Sequence, residues 1–243
     1  MSSGSTRIAL ALLGLSIFGY SAHAQTAATA PIALSVDASQ KGPTISRHLF
    51  GQFAEHLGRG VYEGVWVGPD SPIPNTRGIR NDVVAALKAL KVPNVRWPGG
   101  CFADEYHWRN GIGPAAQRRA TLNPNWGGVI EPNTFGSHEF MDFADQIGAD
   151  AYLSVNVGSG TPNEAADWLE YLTTAQPSAL AKERESHGRK APYRIPILGI
   201  GNESWDCGGN MTPEYYLQQL KTFARYTRNF NPAQREGGQR MTV

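Results

Sequence analysis

Apolar and polar positions along the chain repeat one arrangement: a short apolar run, a glycine-rich loop, and then apolar residues at helical spacing. Residues 48–55, HLFGQFAE, read as a strand ending in a carboxyl. Residues 92–97 read as a second strand with Pro93 confined to its start, 151–157 as a third, and 195–200 as a fourth whose length Pro196 and Gly199 limit. The helices fall between them. Asn81 or Asp82 caps one with Val83, Val84, Leu87 and Leu90 on its apolar face, and Ser137 starts another that buries Phe140, Phe143, Ala144 and Ile147 and stops at Gly148. Thr161-Pro162-Asn163-Glu164 is a capping box with proline in the first turn, opening a helix that buries Ala165, Trp168, Leu169 and Leu172. Thr212 and Pro213 open the last helix, which runs to about residue 229 with Leu217, Leu220 and Phe223 inward. An earlier alternation at 32–36 predicts one further strand ahead of these units.

Four strand–loop–helix units, with the long glycine-rich and aromatic loops always after strands, predict a parallel α/β architecture. A doubly wound sheet fits the same pattern, but no glycine-rich phosphate loop follows the first strand, which weakens a nucleotide-binding reading. A closed (β/α)8 barrel needs eight such units, and four are present. The expected fold class is therefore α/β, the first half of a TIM barrel. The expected division is a signal peptide at 1–24, a linker and amino-terminal strand at 25–47, and the partial barrel at 48–243.

The amino terminus carries a basic region ending at Arg7, an apolar run over 8–20 that is short for a membrane span, and Ala22-His23-Ala24 before Gln25. That is a secretory signal peptide, so the mature chain is expected to be exported, with no membrane attachment after cleavage. With 22 basic and 21 acidic side chains the net charge is +1, which gives no electrostatic case for nucleic acid or an anionic membrane. Neutral partners fit better, and the Trp and Tyr beside glycine and proline suit stacking on sugar rings. Cys101 and Cys207 are the two cysteines; an exported compartment permits a disulfide, spacing leaves it open, and each could instead line a cleft.

The chemistry gathers at the strand ends. In IPILGIGNESWDCGGNM the polarity changes where the fourth strand stops, and Asn202-Glu203 stand at the end where a barrel keeps its catalytic groups. A surface carboxyl is the plain alternative for any such pair. Trp205 and Cys207-Gly208-Gly209 make a loop better suited to a sugar-sized cleft than to a solvated turn.

Five blocks, GQFAEHLGRGVYEGVWVG, SPIPNTRGIRNDV, RWPGGCFADEYHWRNGIGP, NWGGVIEPNTFGSHEFMDF and GIGNESWDCGGNMTPEYY, resemble the α-L-arabinofuranosidases of glycoside hydrolase family 51. The resemblance spans about residues 32–231 and implies specific roles. Glu203 is the acid/base, Asn202 bonds the sugar hydroxyl next to the anomeric carbon, and Glu55 and Cys101 contact the arabinofuranose. Trp126 walls the pocket. Relatives carry Asn or Cys at the Cys101 position, so the resemblance offers a sugar contact there as the alternative to half of a disulfide. Retaining hydrolysis needs a second carboxylate about 5 Å away as nucleophile. No residue of this chain matches it, nor does the strand at 32–36 have the β-sandwich partners that the family gives it.

The expected function is removal of terminal α-L-arabinofuranosyl residues from arabinoxylan or arabinan, by an enzyme of which this chain is an amino-terminal part that is inactive alone. No cofactor and no metal are expected. An endoglucanase or xylosidase of the same clan is the nearest enzymatic alternative, and a non-catalytic sugar-binding or inert remnant is the alternative from another class. Uncovered strand edges and helix faces are expected to drive self-association as a homo-oligomer.

Overall fold

The computed structural model describes residues 33–235 and 240–243. The signal peptide at 1–24, the linker at 25–31 and Ile32 lie outside the described residues. The chain divides into two units, Met1–Thr44 and Ile45–Val243. In the first, the described residues are exposed and carry one turn, closed by Asp37, whose carboxylate accepts from the Ser39 amide at 3.0 Å and hydroxyl at 2.6 Å. Residues 33–36 form no strand, which corrects the expectation for 32–36. Alternation makes a strand only where a neighbour takes up its backbone hydrogen bonds, and none does so among the described residues.

The second unit is built on a four-stranded parallel sheet in the order β1 (Gln52–Phe53), β4 (Asn94–Trp97), β7 (Asp150–Val155), β8 (Ile197–Ile200). Chain order and spatial order agree, as the βα pattern requires. The strands are shorter than the apolar runs suggested. β1 is cut to two residues because Arg47–Phe50 winds into a 3-10 turn capped by the Ser46 hydroxyl, which accepts from the His48 amide at 3.3 Å. Two small antiparallel hairpins are added in the loops: β2 (Asn75–Thr76) with β3 (Ile79–Arg80), and β5 (Thr121–Asn123) with β6 (Val129–Glu131). Thr242 lies parallel against Ile197, accepting from the Leu198 amide and donating to Pro196, each at 2.8 Å, so the tail reaches the place where a fifth strand would begin.

The helices are α1 (Asn81–Ala89), α2 (Ser137–Ile147), α3 (Pro162–Thr173), α4 (Ala179–Ser186) and α5 (Pro213–Tyr226). α2 buries the four residues expected and ends at left-handed Gly148. The α3 capping box is only half formed: the Thr161 hydroxyl accepts from the Glu164 amide at 3.1 Å, but the Glu164 carboxylate turns to His107 at 2.9 Å. Two inward assignments are corrected. Leu90 lies past the end of α1 and is exposed, and Leu217 is exposed because six residues separate it from buried Phe223, about 120° around the helix. Arg80, not Asn81 or Asp82, stands at the N-cap of α1, and its side chain makes no cap bond.

α4 was not foreseen. Its sequence, ALAKERES, is nearly all polar, and what docks it is Arg184, fully buried and donating to the carbonyls of Tyr171, Thr174, Arg189 and Lys190 at 2.6 to 3.1 Å. Alternation along the strands sorts the sheet into two faces. Val95, Trp97, Ala151, Leu153, Val155, Leu198 and Ile200 join the apolar core, where Trp97 stacks on Phe140 at 5.2 Å and meets Trp168 edge-on at 6.1 Å. The opposite face carries Arg96, Tyr152 and Ser154, and leads to the loops at the C-terminal strand ends.

Candidate active site

Each of the four strands delivers a loop to the same end of the sheet, and the sequence-derived site residues lie in these loops. Glu55 follows β1 and is buried. Its Oε1 accepts from the Trp126 indole N–H at 2.8 Å and from the Phe102 amide at 3.3 Å, so Glu55, Trp126 and the loop after β4 form one wall. That closeness depends on Gly99 and Gly100. Gly99 has a left-handed backbone, and a Cβ there would come within 2.3 Å of the Glu55 Cα; a Cβ on Gly100 would come within 2.7 to 2.9 Å of the carboxylate.

Trp126 is carried at the tip of the β5–β6 hairpin, which a buried polar chain pins to β1. His56 donates from Nδ1 to Glu131 Oε2 at 2.8 Å and accepts the Trp97 indole N–H at Nε2 at 2.9 Å, so both ring nitrogens are engaged and the ring orientation is fixed. Glu131 also accepts from the Tyr62 hydroxyl and, at 2.9 Å, from the Asn133 amide. Burial works to raise the Glu131 carboxyl, but these bonds outweigh it and hold the group below its ordinary value. Burial likewise pushes the Tyr62 hydroxyl far up, keeping it a donor. His56 and Glu131 were missed in the sequence; the one signal was the position of His56 directly after Glu55.

Glu203 follows β8 and is exposed to the cleft. Beside it is an open cavity of about 360 Å³ bounded by Ile200, Asn202, Trp205, Met211 and Tyr216. The Asn202 side chain is oriented by Arg96, which donates from Nη1 to Asn202 Oδ1 at 3.0 Å. The amide nitrogen is thereby turned away, buried and without a hydrogen-bond partner. A donor in that state suits a ligand hydroxyl or carbonyl oxygen.

Cys101 and Cys207 are joined, with Cα atoms 5.5 Å apart, a spacing that a bridge accommodates. Of the two roles left open for Cys101, the structure shows the disulfide, so any contact it makes with a sugar is through the bridged sulfur and not a free thiol. Its sulfur nevertheless lies 3.9 Å from Glu203 Oε2, and the Cys207 sulfur 3.5 Å from the same atom. Cys101, Glu203 and Cys207 are the one cluster of metal-type donors among the described residues, and the disulfide consumes both of its thiols. The geometry thus collects Glu55, Trp126, Cys101, Asn202 and Glu203 at one end of the sheet.

Comparison with known proteins points the same way. The family model described as "Alpha-L-arabinofuranosidase 1 domain" matches residues 86–234. An intracellular exo-α-L-arabinofuranosidase of Bacteroides ovatus is 50% identical over 211 residues, covering 87% of this chain and 40% of that protein. α-L-Arabinofuranosidase C of Emericella nidulans is 38% identical over 202 residues, covering 82% and 40%. Among solved structures, the GH51 arabinofuranosidase from Xanthomonas axonopodis pv. citri superposes with a TM-score of 0.78 at 56% identity, covering 82% of this chain and 40% of that one. The α-L-arabinofuranosidase of Thermotoga maritima, solved as an arabinose complex, gives 0.72 at 42% identity, covering 77% and 39%. The chain therefore spans about two fifths of the length of these relatives, and its four βα units correspond to part of their barrel. With the family model matching well over half of its residues, the chain belongs to the α-L-arabinofuranosidases of glycoside hydrolase family 51.

Proposed function

We propose that this chain forms the acid/base-bearing part of an enzyme that removes terminal α-L-arabinofuranosyl residues from arabinoxylan or arabinan, with retention of configuration. The observation that carries the reading is Glu203 at the end of β8, solvent-accessible, directly after an Asn202 amide whose free N–H is fixed by Arg96. In the first step Glu203 gives its proton to the departing glycosidic oxygen, and in the second the resulting carboxylate takes a proton from the water that releases the sugar. Asn202 donates to the hydroxyl beside the anomeric carbon. Glu55 and Trp126 bind the ring from the opposite wall, and Cys101 contributes the flank of its disulfide. The attacking carboxylate is assigned to no residue of this chain.

The proposal includes export by the segment 1–24, a linker at 25–47 and barrel residues from 48 onward. Self-association through the exposed apolar residues near β1, Leu49, Phe50 and Phe53, belongs to it as well.

The test is a chimera in which this chain replaces the matching segment of the Bacteroides ovatus relative, assayed on an aryl α-L-arabinofuranoside beside the chain alone. Turnover by the chimera that Glu203→Gln abolishes, with none from the chain alone, is the expected result. A chimera that folds, binds arabinose and never turns over identifies a sugar-binding remnant instead. Full turnover in Glu203→Gln would remove Glu203 from the mechanism.

A further inference from the structure

Glu203 has a left-handed backbone at φ 39°, a conformation that residues with a side chain seldom adopt. It persists only where the surroundings hold it. Part of that hold is local: the Glu203 carbonyl accepts from the amides of Asp206 at 2.9 Å and Gly208 at 3.0 Å, and the Ser204 carbonyl from Met211 at 2.7 Å. Two further ties reach the loop from outside, and both come from one 3-10 turn, Cys101–Asp104. The first residue of that turn is bonded to Cys207, four positions after Glu203. The last, Asp104, accepts the amide N–H of Asn202, one position before Glu203, at 2.7 Å.

Asp104 is 1% exposed. Its other oxygen accepts the amides of Val157 at 2.7 Å and Gly158 at 3.1 Å, in the loop after β7. Three strand-end loops thus converge on one carboxylate. They press against it closely enough that a Cβ on Gly208 would lie 2.9 Å from Asp104 Oδ2, and one on Gly158 2.8 Å from the Asp104 carbonyl oxygen. Burial pushes the Asp104 carboxyl up to about 6 even against the pull of these three donors. Removing the carboxylate would leave three N–H groups without their acceptor.

We propose that Asp104 and the Cys101–Cys207 disulfide form a two-point clamp that holds Glu203 in its proton-donating position, with Asp104 as a positioning residue. The catalytic purpose rests on the acid/base reading of Glu203; the clamp itself does not. Both ties join the same turn to the same loop, so each raises the effective concentration for the other, and loosening either must loosen both.

The linkage is measured on the full 243-residue chain in glutathione buffers. Two glutathione thiols are oxidised to one glutathione disulfide as Cys101–Cys207 is reduced, the protons passing to the two cysteines, and alkylation with mass detection gives the closed fraction. Asp104→Ala and Asp104→Asn are expected to lower the equilibrium constant for closing the disulfide at least tenfold. Phe143→Ala, a core truncation in α2, is expected to leave it within about twofold, which separates a local clamp from general loss of stability. In hydrogen exchange, reducing the wild-type chain should speed the Asn202, Gly208 and Met211 amides at least tenfold and leave Leu153 in the sheet unmoved. An unchanged disulfide equilibrium in the Asp104 variants overturns the proposal, as does an equal shift in Phe143→Ala. If neither Asp104 variant folds, the wild-type exchange decides, and an Asn202 amide indifferent to reduction overturns it. Failure of the acid/base reading appears elsewhere, as turnover surviving Glu203→Gln in the chimera, and alters none of these outcomes.

Discussion

His138 offers a quantitative test of how the helical layer is held together. Its ring lies between the Tyr193 hydroxyl, 2.7 Å from Nδ1, and the Tyr171 hydroxyl, 2.6 Å from Nε2, and Tyr171 continues to His187 Nδ1 at 2.9 Å. Burial, with Arg118, Arg189 and His187 nearby and against the opposing pull of Glu139, lowers the ring from 6.5 to about 4. The neutral ring is the form the fold favours. Its contribution is whole above pH 6.5 and is lost as the pH falls from 6.5 through 4, where the unfolded chain takes up a proton and the folded one does not. At about 1.4 kcal/mol per pH unit the gap sets a ceiling of about 3 kcal/mol. Partial exposure of the ring reduces this to about 2 kcal/mol, most of it gone by about pH 4.5. The assay is urea unfolding of wild type and His138→Gln at about pH 7.5 and 4.5, taking the difference between the two proteins so that groups common to both cancel. Asp104 is one of these: raised from 3.8 to about 6, it favours folding as the pH falls and so works in the opposite sense. A wild type that loses about 1.5 kcal/mol more than the variant agrees with the reasoning, and identical pH dependence in the two refutes it.

Three other outcomes are expected. In the chimera, Glu203→Ala should cost substrates with poor leaving groups at least a hundredfold and spare activated aryl arabinosides; azide should restore turnover and give a retained arabinosyl azide, whereas an inverted one would make Glu203 the nucleophile. Gly100→Ala forces a Cβ against the Glu55 carboxylate and should lower kcat/KM at least tenfold while the melting temperature moves little; an unchanged kcat/KM would show that the exact placement of Glu55 is unimportant. Arg184→Met removes the donor from four buried or half-buried carbonyls and should cost about 3 kcal/mol in urea unfolding, with a loss under about 1 kcal/mol contradicting the anchoring role.

The sheet and its crossing helices were legible because one-sided burial leaves a period in the sequence, as the Phe140, Phe143, Ala144 and Ile147 spacing does for α2. The same logic misplaces residues wherever an apolar side chain lies off the buried stripe, as with Leu90 and Leu217. It is blind to α4, whose anchor is a guanidinium buried among carbonyls, not an apolar face. Asn202 and Glu203 were readable from their place at a strand's end, and Glu55 from its own strand. The bond that joins Trp126 to Glu55 links residues 71 apart, and the Cys101–Cys207 bridge spans 106. Neither has a local signature, since both depend on loops meeting across the end of the sheet. The family resemblance supplied Trp126 as a wall and left the disulfide open.

The Arg96–Asn202 bond bears on selectivity under the proposed function. Because the guanidinium engages the amide oxygen at 3.0 Å, rotating the side chain to turn its oxygen the other way would break that bond, so the group meeting a ligand here is a donor. The buried N–H has no acceptor among the protein's own atoms, and a ligand oxygen in the right place would supply one. A pentose lacking that hydroxyl would fill the place and leave the N–H without an acceptor. Discrimination of this kind comes from what the wrong sugar leaves unpaired, and it can reach several powers of ten without any steric exclusion.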